Sequence, residues 1–348
     1  MNILVTGGAG HIGREVIARL LRHGHKVRVA DLQPERLANE VAGAQAETAQ
    51  CDITDFAAVL PLMDGIQAVV HLAAIPNPNA GSGPDIFRVN CAGTYNIFEA
   101  AARAGIRRVA TASSINAFGL SFSVQPFAVT AFPVDEDQPG STSDPYSFSK
   151  KITEEIAAYY WRRDRISSCC LRLPGVYRAD DGLRDFAENQ MGRYLGSLQA
   201  ILALPDEERR LEVARLYERL AWKRSIRLSE RPYDPADYAW MQSDPNTILM
   251  GIMTDLWAAI SVEDAAQAFE KALLADYEGS HPLYVCEPKN IFQADAEQLA
   301  STFYPEKPAR TRSLAGAESL ISSARARQVI GFEPQHVYLD RARSLIRS

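Results

Sequence analysis

The sequence predicts an α/β protein, a doubly wound parallel sheet joined to a smaller, mainly helical C-terminal region. Three observations lead there. Short apolar runs alternate with helical patterns as far as residue 173, the way parallel strands and their crossover helices read. A glycine-rich turn links the first apolar run to the first helix. Beyond Tyr177 the alternation gives way to charged helical stretches, so a differently built region follows. A chain of 348 residues with 47% hydrophobic side chains can bury the core of one large domain or two closely packed ones.

The elements follow in order. Residues 3–6 read as a strand, 13–23 as a helix, 26–30 as a strand followed by a helical stretch, and 68–71 as a strand. Further strands are expected at 109–112 and 168–173, separated by helices at about 85–103 and 145–163. Asp144 and Pro145 supply an N-cap and a first-turn proline, which fix where the last of these helices starts. Residues 178–250 carry two charged helical stretches and a loop rich in Pro, Asp and Tyr, an inserted cap. Its helix over 206–231 sets Val213, Leu216, Tyr217 and Leu220 near one face, which reads as ordinary amphipathic packing. The chain then returns with a strand at 259–262, a helix over 265–275, a strand-like 282–286 and a helical, amphipathic end. The expected division is therefore 1–177, with a core return at about 256–275, against 178–255 plus 276–348.

Composition narrows the function. A net charge of -6, with Lys and Arg scattered along the chain, gives no basic field for nucleic acid. Cys51, Cys91, Cys169, Cys170 and Cys286 form an odd set without CxxC spacing, so neither a disulfide framework nor a zinc cluster is indicated, and no metal is expected. No leader-like opening and no run near the roughly 20 apolar residues of a membrane span is present. A cytoplasmic enzyme is the expectation.

Thr6-Gly7-Gly8-Ala9-Gly10-His11-Ile12-Gly13 sits between a strand and a helix, the context a dinucleotide loop requires. Gly7 permits the turn, Gly10 lets backbone approach a pyrophosphate, and Gly13 lets helix pack on strand. The phosphates would meet unpaired N–H groups at the helix N-terminus. Asp31 closes the second strand 18 residues after Gly13, with Leu32 beside it, where an acidic side chain can hold ribose hydroxyls and repel a 2′-phosphate. That favours NAD, in a Rossmann-type fold, over NADP; Arg14 and Arg36 leave a smaller opening for the latter.

Tyr146 and Lys150 stand four residues apart, hence on one helix face. An ammonium beside a phenol favours phenolate and equips it to remove a hydroxyl proton. Alone the pair could equally be a surface contact. Its position after Thr111-Ala112-Ser113-Ser114, whose hydroxyls end a strand at the sheet's carboxyl edge, points to a site. Ser114 is placed on the substrate oxygen, whereas Ser113 is expected only to satisfy turn backbone.

Together these residues resemble the extended short-chain dehydrogenase/reductases, the NAD-dependent epimerase/dehydratase family. The resemblance rests on Gly7 to Gly13, Asp31, Cys51-Asp52-Ile53, His71-Leu72-Ala73-Ala74, Asn90, Ser113-Ser114, Tyr146 with Lys150, and Leu171-Arg172-Leu173-Pro174-Gly175-Val176-Tyr177, nearly the whole chain outside the insert. It implies Asp52 and Ile53 at the adenine, Leu72, Ala73 and Ala74 along the cofactor, Pro174 and Val176 near the nicotinamide carboxamide, and Lys150 on the nicotinamide ribose. Asn90 would complete a proton-relay tetrad, and His71 is read as structural. Glu263 and Asp264 suit a helix start and are read as structural too.

The implied reaction is hydride transfer to NAD from a carbinol carbon of a sugar or sugar-like small molecule. Three outcomes stay open: a dehydrogenase or reductase, a sugar or nucleotide-sugar epimerase, and a catalytically silent NAD-binding sensor. Dehydratases of the family usually carry an Asp-Glu pair after the turn serine or threonine, where this chain has Ile115-Asn116. Arg184 stands without a second arginine one turn on, and Arg224, Arg227 and Arg231 read as a solvated charged face and not as a diphosphate clamp. The apolar stretch 118–133 could close over a compact substrate. The resemblance also implies a homodimer through the helices near 90–103 and 146–163.

Overall fold

The structure is a computed structural model that describes residues 1–37, 46–229 and 235–346. Its strands are β1 Asn2–Thr6, β2 Lys26–Asp31, β3 Ala46–Gln50, β4 Ala68–His71, β5 Arg108–Ser114, β6 Ala131–Phe132, β7 Ser167–Leu173, β8 Gly175–Tyr177, β9 Ala259–Ser261, β10 Ser280–Tyr284 and β11 Ala309–Arg310. Seven of them form one parallel sheet in the order β10-β7-β5-β4-β1-β2-β3. The connections run outward in both directions from the β1/β4 junction, with Thr6 opposite His71 in register. At such a reversal the crossover helices diverge to opposite faces and leave a crevice at the carboxyl ends, where open α/β sheets bind ligands.

Helices cover both faces. Val16, Ile17 and Leu20 of helix His11–Arg22 pack with Phe269, Ala272 and Leu273 of helix Val262–Leu274 against one side. Ile97, Phe98 and Ala101 of helix Gly93–Arg103 and Ala157 and Tyr160 of helix Pro145–Asp164 cover the other. Strands buried on both sides read as continuous apolar runs, which is why β1, β4 and β7 stand out in the sequence. β3, with sequence AETAQ and a half-exposed edge position, offers no such run and escapes sequence reading.

A third core lies outside the sheet. Val213, Leu216 and Leu220 of helix Asp206–Ser229 meet Leu198, Trp257, Phe292, Phe303, Phe118 and Phe132 there. The inserted helix is thus packed on its expected apolar face, and the 118–133 stretch contributes core side chains. Its basic residues differ from expectation. Arg224 is only 7% exposed, and Arg227 donates to the Ser121 carbonyl at 3.0 Å with its guanidinium 5.3 Å from the Phe122 ring. Arg231 lies outside the described residues.

Two further expectations are corrected. The helix expected over 85–103 is three pieces, an α-turn at Gly83–Ile86, a π-helical segment Phe87–Ala92 and the helix Gly93–Arg103. The segment expected to return to the core does so through helix Val262–Leu274, but its strand β9 pairs with β8 in a separate two-stranded ribbon, and the strand added to the sheet is β10 at the edge, from the segment assigned by sequence to the C-terminal region.

Helix Pro145–Asp164 is fastened to the sheet by a buried ion pair. Arg172 of β7 donates from Nε and Nη2 to the two carboxylate oxygens of Glu154 at 2.8 and 2.9 Å. Ser113 of β5 adds a hydrogen bond to the same carboxylate at 2.8 Å, so Ser113 binds a side chain 41 residues away and not the turn backbone it was expected to satisfy. Breaking a buried pair strands a charge away from water. Arg172→Met should therefore lower stability by about 3–5 kcal/mol in urea unfolding, and the double variant with Glu154→Leu should recover most of that loss; an Arg172→Met loss under about 1 kcal/mol would show that the pair does not hold the helix.

Candidate active site

The glycine turn joins β1 to the first helix through contacts that exclude side chains. Gly7 has φ +70°, and a Cβ there would stand 2.6 Å from the Ala73 nitrogen. A Cβ on Gly13 would meet the Gly7 carbonyl oxygen at 2.4 Å and Gly8 Cα at 2.7 Å. Gly10 caps the helix with extended backbone and no side-chain hydrogen bond, so the first N–H groups of the helix remain for an anion. His11 is exposed at the helix start, with Ile12 half-buried behind it.

Asp31 ends β2 and reaches back, accepting from the Ala9 N–H at 2.9 Å and from the Gln33 N–H at 3.0 Å. Leu32 beside it is 60% exposed. Arg14 donates to the carbonyls of Ala9 and Arg36 at 3.2 and 2.9 Å. Asp52 is exposed and accepts from the Thr54 N–H and hydroxyl at 2.9 and 2.8 Å; the Thr54 backbone bond is the main reason its carboxyl sits below the usual range. Ile53 is a core residue packed on Gly93. Leu72, Ala73 and Ala74 follow β4 half-buried, Pro174 is buried, and Val176 of β8 is half-buried. These positions line the carboxyl edge on both sides of the β1/β4 junction. An uncapped helix start, a turn closed to any Cβ and an apolar side chain left open beside Asp31 together fit an extended dinucleotide.

Tyr146, Lys150 and Ser114 come together under the same edge, 7%, 5% and 5% exposed. Lys150 Nζ donates to the Ala112 carbonyl at 2.9 Å and lies 5.7 Å from the Tyr146 ring centroid. Ser114 Oγ accepts from the Asn116 N–H at 3.1 Å and stands against the phenol. Phe122 closes the other side, its ring edge-on to Tyr146 at 5.6 Å. Burial pushes the phenol up to about 12, with Ser114 pulling down and Asp144 adding to the rise. Burial also pulls the Lys150 ammonium down to about 8. The expectation that Lys150 lowers the phenol is not met: burial dominates, and Lys150 points at the Ala112 carbonyl.

Asn90 sits in the π-helical segment, fully buried. Its amide donates to Ser149 Oγ at 2.9 Å and to the Ile75 carbonyl at 3.1 Å, and Ser149 donates to the Tyr146 carbonyl at 2.7 Å. Asn90 thus reaches the tyrosine's helix through Ser149. His71 bridges the hydroxyls of Thr6 at 2.7 Å and Thr94 at 3.0 Å, and burial holds it down at about 3, a packing role. Among the described residues no cluster of His, Cys, Asp and Glu is arranged to hold a metal ion.

Sequence reading missed Glu154 and Asp255, and reached Phe122 only as part of the apolar stretch 118–133 expected to close over a substrate. Asp255 lines a cavity of about 330 Å³ together with Gly175, Val176 and Tyr177. Nothing local marks it, since it follows a short helix and precedes the family-like stretch that starts at Trp257.

Gly7→Ala should weaken NAD binding at least tenfold in calorimetric titration and lower stability by about 1–3 kcal/mol, because the new Cβ meets backbone at a positive φ; unchanged affinity would remove the turn from the cofactor site.

Residues 3–200 match the NAD dependent epimerase/dehydratase family. The chain is 29% identical over 182 residues to a uronate dehydrogenase of Pseudomonas putida, a match covering 52% of this chain and 63% of that protein. It is 29% identical over 202 residues to an L-arabinose 1-dehydrogenase (NAD(P)(+)) of Haloferax volcanii, covering 56% and 76%. The chain therefore spans less than two thirds of the uronate dehydrogenase. In fold it is similar to a UDP-glucose 4-epimerase of Thermotoga maritima, with a TM-score of 0.62 at 17% identity over 100% of this chain and 98% of that one. On a match that takes in more than half of its residues, beginning in β1 and running past the Tyr146 helix, the chain belongs to the NAD dependent epimerase/dehydratase family.

Proposed function

We propose that the protein is an NAD-dependent oxidoreductase that removes hydride from a carbinol carbon of a sugar or sugar-like small molecule. The observation that carries this reading is the buried grouping of Tyr146, Ser114 and Lys150 at the sheet's carboxyl edge, beside the glycine turn. The dehydrogenases of uronate and L-arabinose among its relatives support the substrate class.

Gly7, Gly10, His11, Ile12 and Gly13 would hold the pyrophosphate, Asp31 and Leu32 the adenosine ribose, Asp52 and Ile53 the adenine, Leu72, Ala73 and Ala74 the length of the molecule, and Pro174 and Val176 the nicotinamide end. When bound, NAD supplies the hydride acceptor. The substrate oxygen is steadied by Ser114, and Tyr146 takes the hydroxyl proton as phenolate. Lys150 holds the nicotinamide ribose and adds positive charge under the phenol, and Asn90 braces their helix through Ser149.

Because burial raises the phenol, phenolate is scarce at neutral pH. Oxidation, which needs phenolate, should speed up between pH 6 and 9 by up to roughly tenfold per unit, while carbonyl reduction, which uses the phenol as acid, should stay nearly flat because the phenol remains protonated across that range. Tyr146→Phe should lose about 10²–10⁴-fold in turnover and the pH slope with it. Initial rates of NADH formation and consumption on a panel of sugars, uronates, polyols and nucleotide-sugars read this directly. Unchanged turnover in the variant would sink the role of Tyr146, and inversion at carbon seen by NMR without net NADH would make the protein an epimerase.

The same reading takes the protein as a homodimer. Phe87 stacks on Phe148 at 6.3 Å and Tyr95 on Tyr159 at 6.5 Å, and these four rings are 49%, 45%, 42% and 38% exposed. An apolar face of that kind on neighbouring helices suits a second copy. Light scattering should give twice the chain mass, and Phe148→Glu with Tyr159→Glu should halve it; a monomeric native chain would end this part. The five cysteines, all free and buried, fit a reducing cytoplasmic setting.

A further inference from the structure

The cavity beside β8 has a composition the reaction chemistry does not require. Tyr177, Phe186, Tyr194 and Tyr338 form an aromatic wall. Their rings interlock, with Tyr177 edge-on to Tyr338 at 4.9 Å and Phe186 at 5.6 Å from Tyr338 and 5.5 Å from Tyr194. Asp255 is the charged side chain among the lining residues. At about 330 Å³ the space lies at the small end of ligand pockets, about 300–1,000 Å³, room for a sugar ring more than for a nucleotide-sugar.

Asp255 is held in place from several directions. Ser121 donates its hydroxyl to the carboxylate, and Ser121 is followed in sequence by Phe122, the ring against Tyr146. The next two residues, Leu256 and Trp257, both have φ +56°, a region non-glycine residues enter only when packing forces it. Trp257 is fully buried, its ring 5.0 Å from that of Phe303 and 6.2 Å from that of Phe292. The strained turn presents the preceding carboxylate to the cavity. Burial raises its carboxyl above the ordinary range, against the Ser121 hydroxyl and the charges of Lys223 and Arg227, which stand on the inserted helix without lining the space. Nearby cations have other partners or face outward: Arg178 donates to the His11 carbonyl at 3.1 Å and pairs with Glu15 at 3.6 Å, Arg341, whose charge acts on Tyr177, pairs with Glu263 at 3.0 Å, and Arg184 is exposed.

A carboxylate accepts two hydroxyl hydrogens at once, and aromatic rings cover the apolar C–H face of a pyranose. An acid group arriving at the same place would set two negative charges together in a partly desolvated cavity. We propose that this cavity takes a neutral polyhydroxy substrate, with Asp255 accepting its hydroxyls and setting specificity against acid sugars. The inference rests on the oxidoreductase reading above and fixes the charge class of its substrate.

The test uses the NAD-loaded full chain and pairs of free sugars with their uronates: glucose with glucuronate, galactose with galacturonate, mannose with mannuronate. Affinities come from saturation-transfer NMR titration. At least one neutral sugar should bind ten times more tightly than its uronate, and Asp255→Asn should weaken that sugar at least tenfold while narrowing or reversing the preference and leaving NAD affinity unchanged. A native preference for uronates, binding of no sugar, or an Asp255→Asn variant with native affinities would overturn the proposal. Should the variant fail to fold, the native preference alone decides. NADH formed from a uronate in preference to its neutral partner would remove this inference and leave the oxidoreductase reading standing. The neutral preference without NADH from any substrate would do the reverse.

Discussion

The bidentate pair between Glu154 and Arg172 sets the geometry on which the site depends. Tyr146, Lys150 and Glu154 recur every four residues and so share one face of helix Pro145–Asp164. Apolar burial alone orients a helix on a sheet less sharply than hydrogen bonds do, because the hydrophobic effect is not directional. The ion pair, with Ser113 as third partner, fixes which face looks at β5 and β7. One turn back along the face, Lys150 meets the Ala112 carbonyl, and a turn further the phenol meets Ser114. Two charges out of water are held only by good geometry, and here both carboxylate oxygens are used.

Much of this was legible in the sequence, and the exceptions have physical reasons. The glycine turn and the strand runs are set by steric and solvation demands local to a few residues. The Tyr146 to Lys150 spacing is likewise local. Partners brought in from afar are not. Ser113 reads as a turn residue until Glu154 arrives 41 positions later, and the phenol's environment is decided by Phe122, which no motif connects to Tyr146. The π-helical segment around Asn90 leaves no mark, since shifting a hydrogen-bond ladder by one residue changes no composition. β3 is an edge strand with little apolar character, and Arg224 looks like a surface residue because its helix is otherwise rich in charge.

The insert is more than a cover. Helix Asp206–Ser229 shares its core with Trp257 and Phe303, so the packing that gives the insert its stability is the same packing that holds the Leu256–Trp257 turn in its strained form. Packing of the insert and the conformation of that turn are therefore coupled in this half of the molecule, whereas the Tyr146 helix rests on the sheet and its ion pair.

Asp31 accepts a hydrogen bond from Ala9 within the glycine turn. The turn is thus tied at both ends, to β2 through Asp31 and to Ala30 through the Gly7 N–H at 2.8 Å. A loop held by such internal bonds surrenders less conformational entropy on binding than one free of them. The same two bonds make the turn's shape a property of its union with β2, so a change that loosens the end of β2 is transmitted to the backbone N–H groups at the start of the first helix.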